Sequence, residues 1–166
     1  VYLFEFPKKV KEASLSNLYK NDKNRVNFMK YLKTFIEDFT TSKNPKGIYL
    51  HGSYGVGKTY LIAALFNELA KNNIKSAIVY VPEFLRVLKS SFGNDFEEKY
   101  DYIKKAPLLL LDDIGAEYLT PWARDEILGT ILQYRMEEEL PTFFTSNMNL
   151  IQLVEHFSIT SVGKEE

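Results

Sequence analysis

Short apolar runs alternate along this chain with stretches in which apolar residues recur every three or four positions. The runs Ile48-Tyr49-Leu50, Ala77-Ile78-Val79-Tyr80-Val81, Leu108-Leu109-Leu110-Leu111 and Thr142-Phe143-Phe144-Thr145 have the length and side chains of strands. The third is apolar at every position, as in strands buried on both faces of a parallel sheet. Ahead of them, Val26, Met29, Leu32, Ile36 and Phe39 predict an amphipathic helix over 24–39, with Lys30 and Lys33 on its polar face. Leu61, Ile62, Leu65 and Leu69 predict another over 58–71, ended by Asn72-Asn73. Pro82 opens a third, with Phe84, Leu85, Val87 and Leu88 as its apolar set, and Gly93-Asn94 separates it from a short helix over 95–105. Thr120 and Pro121 read as the N-cap and first residue of a helix that turns Ile127, Leu128, Ile131 and Leu132 inward and stops at Leu140-Pro141. A last short helix is expected over 150–156. Strands alternating with helices predict an α/β fold, helices packed on both sides of a parallel sheet. Residues 1–23 form an unassigned arm, 24–157 the folded core, and 158–166 a tail without periodicity.

Composition narrows the picture. The 166 residues fit one domain, and 45% hydrophobic with 14% aromatic residues can fill its core. A net charge of −1 leaves no global basic footprint, so any nucleic-acid contact must be a local cluster of Lys and Arg. The absence of cysteine excludes disulfides, thiolate zinc sites and cysteine nucleophiles, and fits a reducing compartment. No apolar run approaches the ~20 residues that span a bilayer, and the apolar start is too short for a cleavable signal. The expectation is a soluble, cytoplasmic chain without a membrane partner.

Gly52-Ser53-Tyr54-Gly55-Val56-Gly57-Lys58-Thr59 carries the chemistry. It is a complete Gly-x-x-x-x-Gly-Lys-[Ser/Thr] phosphate-binding loop, and it lies between a strand and a helix, as that motif requires. Its glycines let successive N–H groups turn inward, and the following helix adds its positive end. Lys58 is placed for the β- and γ-phosphates and the Thr59 hydroxyl for Mg²⁺. Glycine-rich turns also occur without a ligand; the full motif in this context favours a nucleoside triphosphate. The run 108–111 ends in Asp112-Asp113, where ligands of open α/β sheets bind. Asp112 is expected to hold the metal and Asp113 to deprotonate the attacking water. Asp-Asp before Ile114-Gly115 is also ordinary turn chemistry, as is Ser146-Asn147 at the end of the fourth strand. Asn147 becomes a γ-phosphate sensor candidate because strand order in such sheets places its strand between the other two. His51 and His156 lack partners at ligand spacing and read as structural or solvated.

These three elements together resemble the AAA+ ATPase superfamily. The stretches 108–117 (LLLLDDIGAE), 122–126 (WARDE) and 131–147 (ILQYRMEEELPTFFTSN) resemble, more closely, its DnaI/DnaC family of bacterial helicase loaders, over roughly residues 13–157. The resemblance implies a three-layer αβα core and an ATPase that places the hexameric replicative helicase on single-stranded DNA in replication initiation or restart. It also implies ATP and Mg²⁺ as cofactors, and self-association through the ATPase domain. The family's single-strand contact falls in 82–105, where Phe84, Arg86, Lys89, Phe92 and Lys99 could combine stacking with phosphate contacts; the same residues also suit a core and a solvated face. The family's amino-terminal zinc domain, which grips the helicase, has no counterpart here. Its fifth strand, lid, arginine finger and second sensor would follow residue 157, so the chain is expected to be a fragment that hydrolyses ATP weakly. Arg124 and Arg135 lie upstream of the finger's place and are expected to pair with acids on helix surfaces. A transposase-helper ATPase shares the same nucleotide motifs, and a module that binds nucleotide without hydrolysis is a further alternative. A small-molecule kinase would need an acceptor site and an arginine-rich lid, neither of which is evident.

Overall fold

The computed structural model describes residues 2–4, 12–14, 23–41, 45–52, 57–88, 94–116, 120–160 and 163–164. Its centre is one parallel sheet of five strands: β1 (Tyr2–Phe4), β2 (Tyr49–His51), β3 (Ser76–Tyr80), β4 (Leu108–Asp112) and β5 (Thr142–Ser146). Their spatial order is β1-β3-β4-β5-β2. β5 therefore lies between β4 and β2, the arrangement on which the reading of Asn147 depends. The pairing sets Leu111 beside Phe144 and His51 beside Ser146, so the carboxyl ends of the three strands finish close together.

β4 shows why the sheet has helices on both sides. All five of its residues are buried. Leu108 and Leu110 enter a cluster with Leu32 and Phe35 of α1 (Lys23–Thr40) and Ile62, Leu65, Phe66 and Leu69 of α2 (Lys58–Ala70). Leu109 and Leu111 enter the opposite cluster. There they meet α3 (Val81–Leu88), α4 (Asn94–Lys105), and a π-helical segment (Ala123–Leu128) that runs into α5 (Gly129–Glu137). Strand side chains alternate between faces, so an unbroken leucine run supplies both cores at once. α6 (Leu150–Phe157) follows β5 and packs Leu153 and Phe157 against the second cluster, while Leu150, Ile151 and Val154 stay exposed. Gly47, just before β2, permits a close crossing, because a Cβ there would lie 2.1 Å from the Thr142 carbonyl oxygen.

Three expectations need correction. Residues 1–23 contribute an edge strand, β1, which pairs in parallel with β3. They also contribute Ala13, buried against α2, where the Asn67 amide donates to the Ala13 carbonyl at 2.7 Å. The tail contains a small antiparallel pair, β6 (Ile159–Thr160) and β7 (Gly163–Lys164). Arg135 is not on a helix surface: it is 1% exposed, and its guanidinium donates to the carbonyls of Lys104, Ala106 and Pro141 and to the Thr142 hydroxyl. Burial presses its pKa down to about 10, which still leaves it charged at neutral pH.

Candidate nucleotide site

The site is assembled at the carboxyl ends of β2, β4 and β5 and the first turn of α2. Gly57 precedes that helix at φ +78°, a left-handed conformation that glycine adopts without a Cβ clash, and its carbonyl accepts the first helical N–H, from Leu61. Lys58 and Thr59 follow on the first turn. The Lys58 ammonium donates to the Gly52 carbonyl at 2.7 Å and reaches the Asn147 side-chain oxygen at 3.4 Å. Thr59 Oγ1 donates to Asp112 Oδ1 at 2.5 Å. Residues separated by 53 and 89 positions in sequence are thus in direct contact. Ser53, Tyr54, Gly55 and Val56 lie outside the described residues.

Asp112 is 5% exposed and Asp113 is 9% exposed. Burial pushes the Asp112 carboxyl above the usual carboxylate range, against hydrogen bonds from Thr59 and Thr145; the Asp113 charge pushes it further up and Lys58 draws it down. Among the described residues both hydroxyls meet Oδ1, which leaves Oδ2 outside these bonds. A hydroxyl and a carboxylate in contact form a hard oxygen set. It suits magnesium, which binds through one or two protein oxygens and fills its octahedron with phosphate and water. Among the described residues no group of three or more His, Cys, Asp or Glu competes as a metal site. Thr59 and Asp112 fit the ion.

Other side chains singled out in the sequence are placed differently. Phe84 is 1% exposed in the core, so its ring is not offered to a nucleic-acid base, and it drops out of the DNA candidates. Arg86 is exposed on α3 and pairs with Glu83, and Lys99 is exposed on α4. Lys89 and Phe92 lie outside the described residues. Arg124 does pair with an acid, Asp125, and also donates to the Phe157 carbonyl at 3.1 Å. His51 is exposed, and His156 is half-buried with an Nε2 that has no partner among the described residues. A cleft of about 600 Å³ beside Gly47, Arg135 and Pro141 lies at the opposite ends of the strands and shares no residue with the site.

Two residues escaped sequence reasoning. Thr145 and Ser146 are buried at the end of β5 and hydrogen-bond to the Asp112–Ile114 turn. Their only sequence signal is a pair of hydroxyl residues ahead of Asn147.

Comparison with known proteins places the chain in a family. The family described as the bacterial DnaA ATPase domain matches residues 14–156. The replicative helicase loader DnaI of Bacillus subtilis (strain 168) is 46% identical over 147 residues, covering 88% of this chain and 47% of that protein. The chain thus spans about half the length of that relative. A crystal structure of DnaI superposes with a TM-score of 0.86 at 51% identity, covering 95% of this chain and 84% of the other. An AMPPCP-bound structure of DnaA from Aquifex aeolicus gives a TM-score of 0.67 at 25% identity, covering 90% of this chain and 45% of that one.

Proposed function

Because the chain belongs to the bacterial DnaA ATPase-domain family, in its DnaI helicase-loader branch, we propose that it is the ATP-binding and ATP-hydrolysing part of a replicative helicase loader. Its work would be to place a hexameric helicase on single-stranded DNA, in the cytoplasm. The observation that carries the hydrolysis reading is that the first turn of α2 brings Lys58 onto Asn147, just past β5, and Thr59 onto Asp112 at the end of β4. The relative named as a helicase loader favours this partner over a transposase. No helix among the described residues is long and apolar enough to cross a membrane.

Each side chain has a role that follows from its place. The amino end of α2 attracts the phosphates, and the Lys58 ammonium exchanges the Gly52 carbonyl for their β- and γ-oxygens. Thr59 and Asp112 would hold a magnesium ion, which would supply neutralisation of the phosphate charge. Asn147, exposed beside Lys58, orients the attacking water with its amide. Asp113 accepts that water's proton as the oxygen attacks the γ-phosphorus and the bond to the β-phosphate oxygen breaks. Arg86 and Lys99 are the described cations that remain for the DNA contact.

ATP turnover by the intact protein, with and without replicative helicase and single-stranded DNA, tests the proposal. Stimulation by both is expected. A chain that turns over ATP yet ignores both partners would leave the nucleotide site standing and remove the loader function.

A further inference from the structure

The end of β5 holds two buried hydroxyls, Thr145 bonded to the two acidic residues and Ser146 to the Ile114 carbonyl just after them. Thr145 is 2% exposed. Its Oγ1 donates its one proton to Asp112 Oδ1 at 2.7 Å and accepts the Asp113 N–H at 2.8 Å. A hydroxyl used in both senses has a fixed rotor. The main chain repeats the connection: Ile114 N–H donates to the Thr145 carbonyl at 3.0 Å, and Ser146 Oγ donates to the Ile114 carbonyl at 2.6 Å. Asp113 sits at φ +58°, a left-handed conformation that a non-glycine residue keeps only when its surroundings hold it. The N–H bound by Thr145 is that residue's own.

We infer that Thr145 is a positioning residue for hydrolysis. Its hydroxyl orients the metal-binding carboxylate of Asp112 and holds the backbone from which the Asp113 side chain projects. The inference rests on reading this site as a magnesium-dependent ATPase. A threonine that merely satisfied the end of a strand would need only a main-chain partner; this one bridges the two acidic residues of the site. The same strand end also sets the sensor. Ser146 Oγ accepts the Met148 N–H at 3.0 Å, and Tyr49 Oη donates to the Met148 carbonyl at 2.6 Å, which pins the peptide just past Asn147.

The full chain, Thr145→Val and Thr145→Ser are compared by ATP kcat and KM, and by affinity for a fluorescent ATP analogue in magnesium and in EDTA. Outer-shell partners of metal ligands are typically worth on the order of 10–100-fold in affinity or activity. Thr145→Val is expected to lose that much of kcat and of the magnesium-dependent gain in affinity. Affinity in EDTA stays unchanged, because Lys58 and the loop are untouched, and Thr145→Ser restores both losses. Parental kcat and magnesium dependence in Thr145→Val, or a Thr145→Ser as impaired as the valine variant, would overturn the inference. If Thr145→Val loses its cooperative melt, Thr145→Ala, which leaves room for a water, takes its place; the same loss there assigns the hydroxyl to folding and also overturns it. A parent chain with neither turnover nor magnesium-dependent binding removes the ATPase reading instead, whatever the variants do.

Discussion

Asp113 at φ +58° permits a clean substitution. Asparagine tolerates the left-handed region better than most residues, so Asp113→Asn keeps the backbone and the shape while losing the base. Its turnover is expected to fall by on the order of 10²–10⁴-fold, the usual worth of a positioned general base, with ATP affinity retained. Parallel single-turnover and equilibrium binding measurements check this, and unchanged turnover would move the base elsewhere. Spacing rules singled out Lys58, Thr59 and Asp112 in the sequence, and the structure sets Thr59 against Asp112 and Lys58 against Asn147. Thr145 was not legible, because its partners lie 32 and 33 positions away and a threonine at a strand end has many commoner uses. Phe84 shows the reverse error: an aromatic beside a basic residue looks like a stacking platform until its helix packs that ring inward.

At the scale of elements, Arg135 ties three of them together. Its guanidinium bridges the end of α4, Ala106 in the link to β4 and the start of β5, and its own helix supplies the backbone. Arg135→Met fills the space but abandons buried carbonyls, each worth roughly 1–3 kcal/mol when left unsatisfied. Urea denaturation should show a loss of about 2–4 kcal/mol. Affinity for ATP below the unfolding transition should persist, because the nucleotide site is at the other ends of the strands. A second tie joins α1 to the approach to β2, where Tyr31 Oη donates to the Lys46 carbonyl at 3.0 Å and burial pushes the phenol up to about 12. A folded-state pKa above the unfolded value of 10 means stability present below pH 10 and lost as pH rises through about 12. Tyr31→Phe should therefore trail the parent by up to about 1 kcal/mol near neutrality, with the gap closing and then reversing as pH rises from 10 towards 12 in urea titrations. A gap that stays constant would show that folding does not shift the phenol's pKa. Helices and interior strands were legible because several buried residues repeat a period. β1, three residues long, carries too little pattern to be read as a strand. Arg135 stands among glutamates, and nothing in that local pattern reveals that its turn lies over the starts of two strands.

For the whole molecule the decisive quantity is charge. Phosphoryl transfer spreads negative charge over the γ-phosphate oxygens, and ATPases of this kind gain most when a second cation meets it there. Among the described residues Lys58 is the cation that reaches the cluster. Arg86 is held by Glu83, Arg124 by Asp125 and the Phe157 carbonyl, and Arg135 is buried among carbonyls. A second cation must then come from residues outside these, from a neighbouring copy or from a partner. The AAA+ resemblance points to a neighbouring copy. Turnover per chain should accordingly be slow in dilute solution and rise with protein concentration, in step with self-association measured by sedimentation. Mixing in an excess of Asp113→Asn chains separates the sources. Such chains are expected to hydrolyse far more slowly yet still present their surface, so they should stimulate the parent's turnover if a neighbour supplies the cation. Activity that is independent of concentration and indifferent to the added variant would mean that one chain completes its own site.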